Sequence, residues 1–202
     1  MPDILFLPRD RDEPHLAYEV TDQENRPLMA MPLSAIRRQR LHFRLVCLAL
    51  RGQGNKEKDS PKTIFLRKRP KPGGQKADSL LGLYLEPVLA GESTHETALR
   101  AIGKAVPFPD IEPQLHTTAT PYQIQSAQPH GTHLPLPPSA QPDWVLAHCS
   151  FYTLDLPGNI HPEDKDCQLA VDRDELAGIA ESAPETLGPE LLWAEKAGIL
   201  FV

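Results

Sequence analysis

The chain has 202 residues, 40% of them hydrophobic and 24% charged, with a formal net charge of −6. That length buries a sizeable core in one domain and leaves no room for two large independent ones. No run approaches the ~18 to 20 apolar residues of a membrane helix, and Met1 to Pro8 followed by Arg9-Asp10-Arg11-Asp12-Glu13 lacks the order of a secretory leader, which predicts a soluble, cytoplasmic chain with no membrane partner.

Ala17 to Thr21 reads as a short strand that ends in a turn over Asp22 to Pro27, where Asp and Asn supply local hydrogen bonds. A second extended piece runs through Leu28 to Pro32. Pro32 to Arg40 predicts a short helix capped by Ser34. Phe43 to Leu50 is nearly all apolar, as in a strand buried on both faces. Polar Gln53 to Pro61 separates it from Thr63-Ile64-Phe65-Leu66, so the two form a hairpin with a long loop. Pro70, Pro72, Gly73 and Gly74 break the chain before a third apolar stretch, Leu80 to Leu89. Ala90-Gly91-Glu92 then leads into a helix with Ser93 or Thr94 as N-cap; its apolar face carries Ala98, Ile102 and Ala105, with Ala101 beside them.

Twenty-two prolines against twelve glycines place part of the chain outside regular structure. Nine of them fall in the 36 residues from Pro107 to Pro142, which predicts a surface insertion, with Pro135-Leu136-Pro137-Pro138 able to adopt polyproline II. Asp143 to Leu154 reads as a long strand rich in aromatic and β-branched residues, and Cys167 to Val171 as a short one. Asp172 to Glu181 is a helix capped by Asp172 or Asp174, and Pro189 to Leu200 a final helix with Leu192, Ala197 and Leu200 on its packed side. Strands and isolated helices without βαβ alternation make the class α+β or a mixed-sheet α/β/α sandwich, in one domain spanning 1–202.

The net charge conceals a segregation. Arg37 to Lys76 holds thirteen bases and two acids, net +11, so the remainder holds eight bases and 25 acids, net −17. A basic segment in an acidic protein suits a small anionic ligand better than nucleic acid, because the remainder repels an extended polyanion. A solvated strand edge and loop is the competing reading. Cys47, Cys149 and Cys167 show no metal-ligand spacing and read as reduced thiols. Neighbouring His148 and Cys149 point to opposite faces of their strand and cannot pair as base and nucleophile. His42 reads as a partly exposed structural histidine.

Glu92, the seven residues to Arg100 and aliphatic Ile102 make the chain resemble the Nudix family, whose motif is G-x5-E-x7-R-E-U-x-E-E-x-G-U with U aliphatic. The order of the preceding elements is similar to the branch resembling isopentenyl-diphosphate isomerase. The resemblance spans about residues 15 to 200, leaves out the Pro-rich insertion, and implies a Nudix-type α/β/α sandwich. It also implies Mg²⁺ or Mn²⁺ held by motif glutamates, which neutralises a diphosphate and positions a water. Here those glutamates fall on Ala101, Lys104 and Ala105, the first motif glycine on Glu86 and the last on Pro107. Alanine offers no oxygen, and at ~4 Å and an effective dielectric near 20 the Lys104 charge costs about 4 kcal/mol against each unit of a cation's charge. No metal site is therefore expected. The structural half of the motif, Gly91, Glu92 and Arg100, remains, and the resemblance implies a Glu92–Arg100 salt bridge. The isomerase would need a reactive cysteine near the motif loop and histidine ligands, and Leu80 to Leu89 contains neither.

Three functions are open on these residues. In the first, the protein binds a small phosphorylated, diphosphate-linked metabolite or nucleotide without efficient hydrolysis and without a cofactor, through Arg44, Arg67, Arg69 and Lys104, with Arg67 and Arg69 on one face and Lys68 on the other. In the second, it is a Mg²⁺- or Mn²⁺-dependent hydrolase with Glu86, Glu92 and Glu96 as unorthodox ligands, Glu92 and Glu96 acting in catalysis. A solvated or ion-paired helix face is the simpler reading of Glu96. In the third, the Pro-rich segment captures a protein partner. Dimers are frequent in the family, so a homodimer is a further expectation.

Overall fold

The structure, a computed structural model, describes residues 16–39, 41–52, 62–70, 79–106, 115–117, 122–124, 146–156, 162 and 169–201. In chain order these form β1 (Tyr18–Thr21), β2 (Pro27–Met31), α1 (Leu33–Gln39), β3 (His42–Gly52), β4 (Thr63–Pro70), β5 (Ser79–Gly82), β6 (Tyr84–Pro87), α2 (Thr94–Ala105), β7 (Leu115–Thr117), β8 (Tyr122–Ile124), β9 (Leu146–Leu156), β10 (Leu169–Val171), α3 (Arg173–Ser182) and α4 (Pro189–Lys196).

β3 organises the sheet. It runs parallel to β9 from His42 opposite Leu146 to Gly52 opposite Leu156. Since β9 takes one whole edge, β1, β6 and β4 must share the other, and they pair antiparallel in succession at Val20–Phe43, Glu86–Val46 and Phe65–Leu50. β2 extends the sheet beyond β1, and β5 and β10 pair with β4. The parallel β3–β9 pair among antiparallel ones makes the sheet mixed.

Alternation along β3 decides where the core goes. Phe43, Leu45, Cys47 and Ala49 face one way and pack with Leu33 and Ile36 of α1, Leu176 of α3, and Leu191 and Ala194 of α4. Val46, Leu48 and Leu50 face the other way, onto Ala98, Ala101, Ile102 and Ala105 of α2. Helices thus cover both faces, and the chain has the expected α+β class and forms an α/β/α sandwich with a mixed sheet. Cys47 is fully buried, as its apolar strand implied. Cys149 lies in the first core and His148 on the α2 side, so the two do point to opposite faces.

Local signals explain the elements. Asp22 Oδ1 accepts from the amides of Glu24 and Arg26 and closes the β1–β2 turn, with Asn25 at φ 65°. Asp172 caps α3 by accepting from the Glu175 amide while Glu175 accepts from the Asp172 amide. Gly198, at φ 69°, follows the end of α4.

The sequence reading needs five corrections. α1 begins at Leu33, so Ser34 lies within its first turn and the Pro32 carbonyl accepts from the Ala35 and Ile36 amides. Leu80 to Leu89 is two strands, because β5 pairs with β4 and β6 with β3. Leu83 sits at the break and donates its amide to Glu190 Oε1 of α4 at 3.2 Å. Glu190, fully buried, thereby ties α4 to that break. The Pro-rich segment contains β7 and β8, both paired antiparallel with β9, whose outer edge would otherwise leave backbone groups unpaired. The most buried residues of α4 are Glu190, Leu191 and Ala194; of the three expected on its packed side, Leu192 is partly buried against the core, Leu200 is buried beyond the helix end, and Ala197 is exposed. The long strand reaches Leu156, two residues beyond its predicted end. The polar 53–61 loop and the polyproline candidate at 135–138 lie outside the described residues.

Replacing the α3 cap, Asp172→Ala, leaves the Glu175 amide without its acceptor and costs about 1 kcal/mol. Urea denaturation should show a lower midpoint at unchanged slope; an unchanged midpoint would show that the cap carries no stability.

Candidate functional site

The site is built where β6 turns into α2. Gly91, at φ 82°, lets the chain reverse, and the Glu92 amide donates to the Leu89 carbonyl at 3.0 Å. Ser93 then caps α2: its Oγ accepts from the Glu96 amide at 3.2 Å, and Glu96 Oε2 accepts from the Ser93 amide at 2.8 Å and its hydroxyl at 2.7 Å. Glu96 is therefore turned back on the helix N-terminus. Its carboxyl lies below its ordinary pKa, first because of the Ser93 amide and then the Ser93 hydroxyl.

One turn on, Arg100 gathers the motif residues. Its Nε donates to Glu92 Oε1 at 3.0 Å, and one terminal nitrogen donates to Glu92 Oε2 and to the Pro87 carbonyl, both at 2.8 Å. The other terminal nitrogen donates to Glu86 Oε1. The Glu92–Arg100 salt bridge is thus present as a two-pronged pair. Glu92 also accepts from Thr97 Oγ1 at 2.7 Å and from the Leu89 amide at 3.2 Å. Burial pushes the Glu92 carboxyl up; the bonds from Arg100, Thr97 and Leu89, with the charge of Arg100, outweigh it and hold the pKa below its ordinary value of 4.5.

Lys104 closes the cluster, its Nζ 2.6 Å from the same Glu86 Oε1. Glu86 faces the α2 side of the sheet with its side chain only 6% exposed, while Lys104 is 39% exposed at the helix C-terminal end, where a cation also suits the helix dipole. Arg67 of β4, Tyr84, Leu85, Glu86, Ala101, Lys104 and Ala105 line an open cleft. The Arg67 guanidinium lies 5.7 Å from the centre of the Tyr84 ring. Both alanines are buried beside Lys104 and offer no ligand atom.

This donor set does not fit a divalent ion. Glu86 is engaged by Arg100 and Lys104, Glu92 by Arg100 and Thr97, and Glu96 by the helix cap. Among the described residues no three His, Cys, Asp or Glu side chains are grouped to hold a metal.

The remaining candidates separate. Arg67 and Lys104 share the cleft. Arg44 does not line it: it bonds Glu19 Oε2 at 2.5 Å, Asn25 Oδ1 at 2.9 Å and the Asn25 carbonyl at 2.7 Å, bracing the β1–β2 turn. The Arg69 side chain lies outside the described residues, and Lys68 is exposed. His42 is partly buried and its ring centre is 5.5 Å from that of His148, whose Nε2 donates to the Asp22 carbonyl at 2.9 Å. Burial and then the neighbouring His148 hold His42 below its ordinary pKa. Sequence reasoning missed Thr97 and Tyr84. Neither residue type advertises a site at an apolar face.

A scan against protein-family models finds no match, and no curated protein matches the chain. Solved structures do. The chain is similar to DR0079 from Deinococcus radiodurans at TM-score 0.55 and 16% identity, covering 90% of this chain and 98% of that one. It is also similar to a Listeria monocytogenes protein described as a NUDIX hydrolase, at TM-score 0.46 and 13% identity over 77% of this chain and 91% of that one. A Jonesia denitrificans protein described as an asymmetric diadenosine tetraphosphate hydrolase gives TM-score 0.47 and 17% identity over 78% and 97%. At such identities the first likeness speaks to the fold alone. No helix of the described residues is long and apolar enough to cross a membrane.

A carboxyl with a depressed folded pKa contributes stability that is complete above its unfolded value, near 4.5, and lost as the pH falls through the folded value. Glu92→Gln should therefore lower stability at pH 7 and flatten the fall in stability below about pH 4.5, read from urea midpoints between pH 7 and 3. Parallel acid limbs in wild type and variant would overturn this assignment.

Proposed function

We propose that the chain is a Nudix-fold protein that binds a phosphorylated, diphosphate-linked metabolite or nucleotide without efficient hydrolysis. The observation that carries the reading is Lys104 Nζ, 2.6 Å from Glu86 in the cleft, with Ala101 and Ala105 at the other positions where the motif would place carboxylates. A fixed ammonium supplies positive charge at the helix where a divalent ion would otherwise be recruited. Lys104 offers a point charge and rotatable donors, and Arg67 a planar fork that matches two phosphate oxygens. The hydrolase alternative asks Glu86, Glu92 and Glu96 to share an ion, although the first two are held by Arg100 and the third caps the helix. The order of elements adds isoprenoid diphosphates to the ligands worth testing, as ligands and not as substrates for isomerisation.

Wild-type melting temperature, read in EDTA against pyrophosphate, ADP, nucleotide sugars and isoprenoid diphosphates, should rise with at least one of them. Lys104→Glu should abolish the rise while leaving the protein folded, and no phosphate should be released with Mg²⁺ or Mn²⁺. Metal-dependent release that disappears in Glu86→Gln would overturn the proposal and restore the hydrolase.

A further inference from the structure

Among the described residues Glu86 is the one acidic residue lining the cleft, and it stands against the ammonium that the proposed ligand needs. We infer that Glu86 is an internal competitor for the anion site: its carboxylate holds Lys104 in the free protein, and Lys104 passes to a phosphate oxygen when a ligand binds. This rests on the anion-binding reading above and adds a mode of regulation to it.

The geometry decides which partner moves. Glu86 Oε1 has two cations, Arg100 and Lys104. Arg100 is fixed by three further acceptors, both Glu92 oxygens and the Pro87 carbonyl. Lys104 sits on a flexible four-carbon stem with its side chain 39% exposed, whereas Glu86 is 6% exposed and enclosed. The lysine can swing and the carboxylate cannot. When it does, Glu86 keeps Arg100, so no buried charge is left uncompensated. Ala101 and Ala105 line the same cleft and end at Cβ, so neither puts a side chain between Nζ and an incoming phosphate. The exchange also gives selectivity. A ligand must offer more negative charge than one carboxylate to win Lys104, which favours diphosphates over singly charged acids.

The test titrates pyrophosphate in EDTA, by calorimetry, into wild type, Glu86→Gln and the double variant Glu86→Gln, Lys104→Gln. Glu86→Gln keeps an acceptor for Arg100 but removes the competing charge, so it should bind severalfold tighter than wild type, and the double variant weaker than either. In wild type, the labelled Lys104 Nζ resonance should shift as pyrophosphate is added. Metal-free binding by wild type that Glu86→Gln leaves equal or weaker would overturn the competitor role while the anion-binding reading stands. No metal-free binding by either protein would overturn both. Should Glu86→Gln not fold, the wild-type resonance decides: a signal unmoved at saturating pyrophosphate sinks the exchange.

Discussion

The guanidinium of Arg100 is the fixed point of this half of the molecule. Four acceptors converge on it: both oxygens of Glu92, the Pro87 carbonyl and Glu86. They come from β6 and the Gly91 turn, while Arg100 itself belongs to α2, so one side chain locks strand, turn and helix in a single phase. Two carboxylates with little exposure could not stand this close without it. Removing one partner of a fully buried pair commonly costs about 3–5 kcal/mol; with Arg100 23% and Glu92 16% exposed, this pair lies between that figure and the small worth of an exposed one. The cleft is a consequence of that lock. With α2 set by Arg100, Ala98 and Ile102 face Val46 and Leu48, and the next turn brings Lys104 over Glu86.

What could be read from the sequence follows from how local each signal is. β3 was legible because Phe43 to Leu50 is apolar on both alternating faces, and both faces are in fact covered. α2 was legible because a cap and a 3.6-residue pattern coincide at Ser93 and at Ala98, Ala101, Ile102 and Ala105. The misses are long-range. Nothing in Leu80 to Leu89 states that two partners divide the run at Leu83, since that depends on where β4 and β3 lie. Nor does a proline-rich composition reveal that three residues at 115–117 and three at 122–124 can pair with the open edge of β9. The face of α4 was read from its apolar residues alone, which leaves Glu190 out, because a buried carboxylate is placed by its partner, here the Leu83 amide, and not by hydropathy.

Charge shows the same limit. The basic segment from Arg37 to Lys76 looked like one patch, but the fold disperses it. Arg44 braces the β1–β2 turn through Glu19 and Asn25, and Arg51, 3% exposed, forms a two-pronged pair with Asp155. Arg38 belongs to α1, which packs on the sheet face opposite α2. Of these described cations Arg67 alone lines the cleft, and its companion there, Lys104, comes from outside the segment. Net charge along a chain measures proximity in sequence, whereas a binding site needs proximity across strands. Glu86 was the more informative residue: a single charge inside an apolar run must find a counter-charge once buried, and it found two.

On the proposed reading, the replacement of a carboxylate by Lys104 changes more than the sign of one side chain. A divalent ion bound by carboxylates neutralises a diphosphate and also acidifies a water, which supplies the nucleophile. An ammonium neutralises but has no lone pair and no open coordination position, so it can donate hydrogen bonds to a phosphate or a water but cannot deprotonate that water. The two halves of the reaction, grip and attack, are thereby separated by residue type alone. The Arg100 lock suits this division, because grip requires α2 at a fixed height over the sheet. Alanine at positions 101 and 105 suits it as well: with a cation resident in the fold, acidic groups there would compete with the ligand for Lys104, as is proposed for Glu86.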